Sequence, residues 1–232
     1  MKIKASKRYK KLLDNSKDKK AETIENAIKK TKQNCTTKFD ESIDVSFFLN
    51  LKQKKEEFTL RTTVNLPNGN GKKIKVAVLC EEAKVKEAKE SGADIFGSEN
   101  LVNDITDGKI NFDKLVATPA MMSKMGKLGK ILGPKGLMPN PKLGSVTDNL
   151  KTAISDSKSG QVEIRNDKDG NIGLSIGKKS FQDDVLLKNY NAVIDALEKE
   201  KANITIKGDL IKQAFITSSM GVSYKLKLPK VL

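Results

Sequence analysis

At 232 residues the chain is long enough for two domains of ordinary size, and its 37% hydrophobic content falls in periodic runs, which excludes wholesale disorder. It contains no histidine and no tryptophan, which excludes serine and cysteine triads, His–metal sites and the commonest general base. A net charge of +15, from 44 Lys/Arg against 29 Asp/Glu, points instead to a polyanionic partner.

In chain order, Tyr9, Leu12 and Leu13 among lysines predict a short basic amphipathic helix within residues 4–18. Ile24, Ala27 and Ile28 predict a second helix from Ala21 to Gln33. Alternation through Ile43, Val45 and Phe47 predicts a strand over Lys38 to Leu49, and a second strand is expected over Phe58 to Leu66. Pro67, Asn68, Gly69, Asn70 and Gly71 then break every pattern, so a domain boundary or hinge belongs there, with its counterpart at Lys158, Ser159 and Gly160.

Between these breaks the pattern is βαβ. Ile74 to Cys80 is a near-continuous apolar run, as a parallel strand covered on both faces requires. A helix over 82–90, a strand over 92–97, a helix over 101–106 and a strand over 115–118 follow, then a helix begun at Met121. A last helix spans Thr147 to Ser157, with Thr147 or Asp148 as N-cap. Beyond residue 160, two short strands around the turn 166–171 predict a hairpin, Asp183 to Glu200 an amphipathic helix, and Leu210 to Thr217 and Ser223 to Leu228 two strands around a small-residue corner. The expected fold is therefore α/β and α+β in two domains. A discontinuous α+β domain takes 1–68 and 159–232, and a three-layer, Rossmann-like α/β domain over 69–158 is inserted in it.

The charge is concentrated where it can act. Residues 1–20 carry +7, residues 121–151 carry +5 and residues 201–232 carry +5. Within the central window, Ser123 to Gly144 holds five lysines (Lys124, Lys127, Lys130, Lys135 and Lys142), five glycines and three prolines without one acid. That composition reads as an ordered cationic loop that meets phosphates. It lacks the glycine spacing of a Walker loop or a dinucleotide fold, so a nucleotide-using enzyme has no phosphate loop here. Only Arg8, Arg61 and Arg165 among the basic residues are arginine, so most of the footprint supplies affinity and salt dependence with little base reading. Cys35 and Cys80, without a CxxC pair, read as small buried hydrophobes of a reducing compartment, and neither a disulfide, a metal nor a cofactor is expected. No signal-peptide core and no run of membrane-spanning length is present, so a cytoplasmic protein without a membrane partner is expected.

Three smaller features suit RNA. In the corner Thr217, Ser218, Ser219, Met220 and Gly221, the hydroxyls can bond phosphate or ribose, the glycine permits close approach and the methionine offers a soft apolar surface. Lys38 and Phe39 place a cation beside an aromatic at a strand edge, next to Glu41 and Ser42. Arg165 and Lys168 lie at the tip of the expected hairpin.

The runs KFDES, VNLPNGNGK, ATPAMM, GKILGPKGLMPNPKLG, IRNDKDGNI and ITSSMG, in this order over nearly the whole chain, resemble the bacterial L-one family of large ribosomal subunit proteins, those of the mobile stalk. The resemblance implies a non-enzymatic constituent of the 50S subunit. Its discontinuous domain would bind 23S ribosomal RNA of the stalk, and its inserted domain would face exit-site tRNA and assist release of the deacylated molecule. It also implies repression of the protein's own operon through an mRNA site that mimics the ribosomal one. Carried over by motif, Lys38, Phe39, Glu41, Ser42, Arg165, Lys168 and Thr217 to Gly221 form the RNA surface, and the five lysines of the central stretch face tRNA. The chain departs from the family pattern at Thr62, where glycine is usual, at Ser219, where threonine is usual, and at Val222, where proline is usual. Ser219 keeps the hydroxyl, while Val222 leaves the corner less preset. A DNA-compacting basic protein is the remaining rival, and equal affinity for duplex DNA and structured RNA would mark it.

Overall fold

The computed structural model describes residues 6–16, 20–50, 60–203 and 208–228. Along them run α1 (Lys7–Asn15), α2 (Ile24–Gln33), β1 (Ser42–Leu49), β2 (Arg61–Asn65), β3 (Val76–Leu79), α3 (Val85–Glu90), β4 (Ile95–Gly97), α4 (Glu99–Thr106) and β5 (Lys114–Ala117). Then come α5 (Met122–Met125), α6 (Gly129–Leu132), α7 (Leu150–Lys158), β6 (Gln161–Arg165), β7 (Asn171–Lys178), α8 (Asp183–Asn203), β8 (Ile211–Ser218) and β9 (Tyr224–Lys225). They gather into two compact units, Met1–Gly71 with Val162–Leu232, and Lys72–Gln161.

In the first unit β1 sits inside an antiparallel sheet of order β7-β1-β8-β9. Its inward residues Ile43, Val45, Phe47 and Leu49 are buried while Ser46 is exposed, the period of two that alternating side chains impose. Val45 lies opposite Leu174 on one side and Ile216 on the other, so the three strands share one apolar face. Onto it α8 lays Leu186, Tyr190, Val193 and Leu197, and α2 adds Ala27 and Ile28. Burying each such large side chain is worth about 1.5–3 kcal/mol. The opposite face of the sheet carries Ser46, Phe48, Gly173, Gln213, Phe215 and Thr217, which are exposed or half-buried.

Three expectations are corrected here. The first long strand begins at Ser42, not Lys38, because Asp40 accepts hydrogen bonds from Ser180 N (3.0 Å) and Ser180 Oγ (2.8 Å), which turns residues 38–40 away from the ladder. The two strands around 166–171 do not form a hairpin: β6 pairs with β2 in a separate two-stranded sheet and β7 pairs with β1, with only an Asn166–Ile172 bridge between them. The breaker run at 67–71 belongs to the first unit. Buried Asn189 of α8 accepts from Asn68 N (3.3 Å) and donates to the Gly69 carbonyl (2.9 Å). A Cβ on Gly71, whose φ is +74°, would lie 2.8 Å from Lys178 Cγ. The chain accordingly crosses between units at 71–72 and 161–162, where the sequence reading placed 68–69 and 158–159. Of the strand expected at 58–66, residues 58 and 59 lie outside the described residues.

The second unit has three layers. Its parallel sheet, of order β4-β3-β5, has every residue of β3 buried, as both-sided cover demands. On one side Ala77 and Leu79 meet Leu101 and Ile105 of α4 together with Met125, Leu128 and Leu132. On the other side Val76 and Val78 meet Ala88 of α3 and Leu150 and Ile154 of α7. The N-cap of α7 is Asn149, whose side chain accepts from Thr152 N (3.4 Å), not Thr147 or Asp148. Asp148 is taken by Lys84 instead (2.7 Å), and the Thr147 hydroxyl accepts from Asn149 N.

Candidate nucleic-acid interface

The start of β1 and the end of β8 are neighbours, with Ile43 opposite Ser218 and Asp44 opposite Thr217. One step beyond, Ser42 N donates to Ser219 Oγ (3.1 Å) and Ser219 N donates to the Ser42 carbonyl (3.1 Å). The segments 38–42 and 217–221, some 175 residues apart in sequence, thus form one corner.

That corner is tightly specified. A turn closes it through Gly221 N and the Ser218 carbonyl (3.1 Å), and a Cβ on Gly221 would lie 2.3 Å from Ser218 Oγ, so any other residue there requires that hydroxyl to turn away. The Glu41 carboxylate is fully buried beneath it. One oxygen accepts from Thr37 Oγ1 (2.7 Å) and Thr37 N (3.3 Å), and the other accepts from Met220 N (3.1 Å). Burial by itself raises the acid's pKa, but the hydroxyls of Thr37 and Ser218 and the backbone N–H groups of Met220 and Thr37 outweigh it and hold the carboxyl below its ordinary value. Arg8 grips the other side, donating from Nη2 to the Met220 carbonyl (2.8 Å) and from Nη1 to Thr36 Oγ1 (3.2 Å). Val222 is buried directly after the turn, which anchors the chain there.

Phe39 (54% exposed) and Met220 (49%) emerge from this fixed backbone, two of the large hydrophobic side chains that face solvent among the described residues. Apolar groups held rigid in water are what a stacking or sugar-packing contact requires. Lys38 and Ser219 are also exposed, and Thr217 and Ser42 are half-buried. Glu41 and Ser218, expected to contact RNA, are buried, at 0% and 3% exposure, and lie under the exposed side chains of the corner.

Arg165 and Lys168 are exposed and stand at the rim of a concavity of 1060 Å³ on the open face of the sheet. Its floor includes Ser46, Phe48, Gln213 and Phe215. Thr217 shares that face with Phe215, two residues before it on β8. Sequence reasoning missed Arg8, Phe48 and Phe215. Arg8 had a signal, being one of three arginines in a lysine-rich chain; the two aromatics had the outward parity of their strands.

In the second unit, Lys124, Lys127, Lys130, Lys135 and Lys142 are all exposed. Lys124 pairs with Glu99 across 2.6 Å. The stretch that carries them is only partly loop. It winds through α5, a 3-10 turn and α6, then closes with a 3-10 turn at Pro141–Leu143, and Met125, Leu128, Leu132 and Leu143 are buried. Lysines outward and methionine and leucine inward, at helical spacing, make the cationic surface rigid by rooting it in the core.

A family model described as "Ribosomal protein L1p/L10e family" matches residues 28–222. The chain belongs to this family. Among curated relatives, the large ribosomal subunit protein uL1 of Pelagibacter ubique (strain HTCC1062) is 65% identical over 227 residues, covering 98% of this chain and 99% of its own length. The protein of that name from Rickettsia akari (strain Hartford) is 45% identical over 208 residues, covering 90% and 87%. That from Rickettsia prowazekii (strain Madrid E) is 43% identical over 231 residues, covering 100% and 97%. The L1p/L10e match contains both halves of the corner and the Arg165–Lys168 rim, whereas Arg8 lies before it.

Among the described residues, no group of three or more Cys, Asp or Glu is placed to hold a metal ion, and no helix is long and apolar enough to cross a membrane.

Proposed function

We propose that the chain is a structural, non-enzymatic constituent of the large ribosomal subunit in the cytoplasm, and that its first unit binds the stalk region of 23S ribosomal RNA. The observation that carries this reading is the corner itself: Phe39 and Met220 exposed on a backbone locked by buried Glu41. Lys38, Ser42, Thr217, Ser219 and Gly221 surround them, and Arg165 and Lys168 extend the cationic rim along the sheet. Recognition there is of RNA shape, through phosphate and ribose hydroxyl contacts with apolar packing on exposed bases. The same corner binds the chain's own operon mRNA and represses its translation, since one rigid site accepts any RNA of the same shape. The second unit, through Lys124, Lys127, Lys130, Lys135 and Lys142, faces exit-site tRNA and assists release of the deacylated molecule.

Filter binding tests the set. Stalk RNA should outcompete a scrambled RNA of equal length and show a steep salt slope. Replacing Met220 and Ser219 with alanine should weaken stalk RNA and operon mRNA in parallel, by more than replacing two lysines of residues 1–20. Changing the five lysines of the second unit to glutamine should spare stalk RNA and weaken tRNA. Equal affinity for stalk, scrambled RNA and duplex DNA would reject the reading in favour of a general nucleic-acid compactor.

A further inference from the structure

We infer that Arg8 is a positioning residue for the RNA surface, and that through it helix α1 forms part of that surface. The inference rests on the RNA reading above and adds a region that precedes the family match. The peptide groups flanking Met220 are held from both sides: the N–H by Glu41 Oε2 at 3.1 Å and the carbonyl by Arg8 Nη2 at 2.8 Å. The second guanidinium nitrogen reaches Thr36 Oγ1 at 3.2 Å, so one side chain ties the 217–221 segment to the chain two residues before the 38–42 segment. A planar fork with two fixed donors defines the orientation of its own helix as well as that of its acceptors. Leu12, one turn further on and 4% exposed, roots the same side of α1 in the core. With Arg8 and Leu12 facing the protein, Lys7, Lys10 and Lys11 are left exposed within one turn of Arg8, and no acid occurs on the helix before Asp14. Three lysines beside a locked corner are phosphate contacts brought to a defined place.

The test uses the full chain, a transcript of the ribosomal stalk RNA and salt between 50 and 200 mM. Each lysine–phosphate contact contributes about 0.7–0.9 to the slope of log affinity against log salt. Arg8→Ala should therefore flatten the slope by about 2, more than its own single charge explains, leaving a deficit roughly 15-fold larger at 50 mM than at 200 mM. Lys7→Gln with Lys10→Gln and Lys11→Gln should flatten it equally, and adding Arg8→Ala to that triple variant should flatten it no further. Arg8→Lys, which keeps the charge and loses the fork, should recover only part of the slope. Thermal melts confirm that each variant is folded. An Arg8→Ala variant whose affinity falls by the same factor at every salt concentration, or not at all, overturns the inference, as do slope losses that add. A wild-type chain that binds scrambled and stalk RNA alike overturns the RNA reading beneath it, an outcome read without any variant.

Discussion

The perturbation that probes the corner most directly is Glu41→Gln, which keeps the shape of a fully buried side chain and removes its charge. The carboxylate accepts three hydrogen bonds, two from Thr37 on one oxygen and one from Met220 N on the other. Hydrogen bonds to a charged group are worth about 1.5–3 kcal/mol each. Glutamine cannot reproduce the set: with its carbonyl toward the Met220 N–H, its NH₂ can donate to the Thr37 hydroxyl but meets the Thr37 N–H donor against donor. The cost is about 2–3 kcal/mol, the charge assistance lost from two bonds and one N–H left unpaired. For a unit of this size that lowers Tm by about 5–10 °C. Because the native carboxyl lies below its ordinary pKa of 4.5, its contribution is full above that value and is lost as pH falls through the lowered one. The gap between wild type and variant, read by thermal melts from pH 7 to pH 3, should therefore be widest near neutrality and narrow in acid. RNA affinity at pH 7 should fall roughly 10- to 100-fold as the Met220 turn loosens, equivalent to about 1.4–2.8 kcal/mol. A variant that melts within 1 °C of wild type at pH 7, or a gap constant down to pH 3, would refute this account of the corner.

Two glycines of opposite kind supply a further check by chemical denaturation. Gly221→Ala should destabilise by about 0.5–1.5 kcal/mol, because its Cβ would lie 2.3 Å from Ser218 Oγ and force that side chain to rotate. Gly126→Ala should stabilise by about 0.4–1 kcal/mol, because φ is −52° and nothing lies within 4 Å of the added Cβ. Asn149→Ala should cost the second unit about 1 kcal/mol as the cap of α7, whereas Thr147→Ala should cost less; the reverse order, in melts of the two variants, would return the cap to Thr147. Phe39→Ala should leave the melting temperature within about 2 °C, since the ring is 54% exposed, while weakening stalk RNA in filter binding.

Several elements were legible because their signal is local. The alternation of Ile43, Val45 and Phe47 and the unbroken apolar run of β3 each report how many faces of a strand are covered, and that depends only on residues close in sequence. The hairpin at 166–171 was misread for the complementary reason. A turn brings two strands close, but whether they ladder together is decided by the other edges on offer, and β1 and β2 claimed β7 and β6. The lysines, glycines and prolines of the central cationic stretch are conspicuous and read as loop, and they mask the buried Met125, Leu128 and Leu132 that belong to the core on that face of the second unit.

Composition and periodicity by themselves determined the mixed helix-and-strand character of the chain, the absence of histidine chemistry and the concentration of positive charge, since hydrophobic period and charge are properties of residues in order along the backbone. Only the tertiary structure decided that Arg8, Glu41 and Met220 meet around one turn, that Glu41 and Ser218 lie beneath the surface and that Phe39 and Met220 stand above it. Hydrogen bonds among residues more than 170 positions apart exist only once strand register has closed, and no pattern within a single segment encodes which distant partner will satisfy a buried charge.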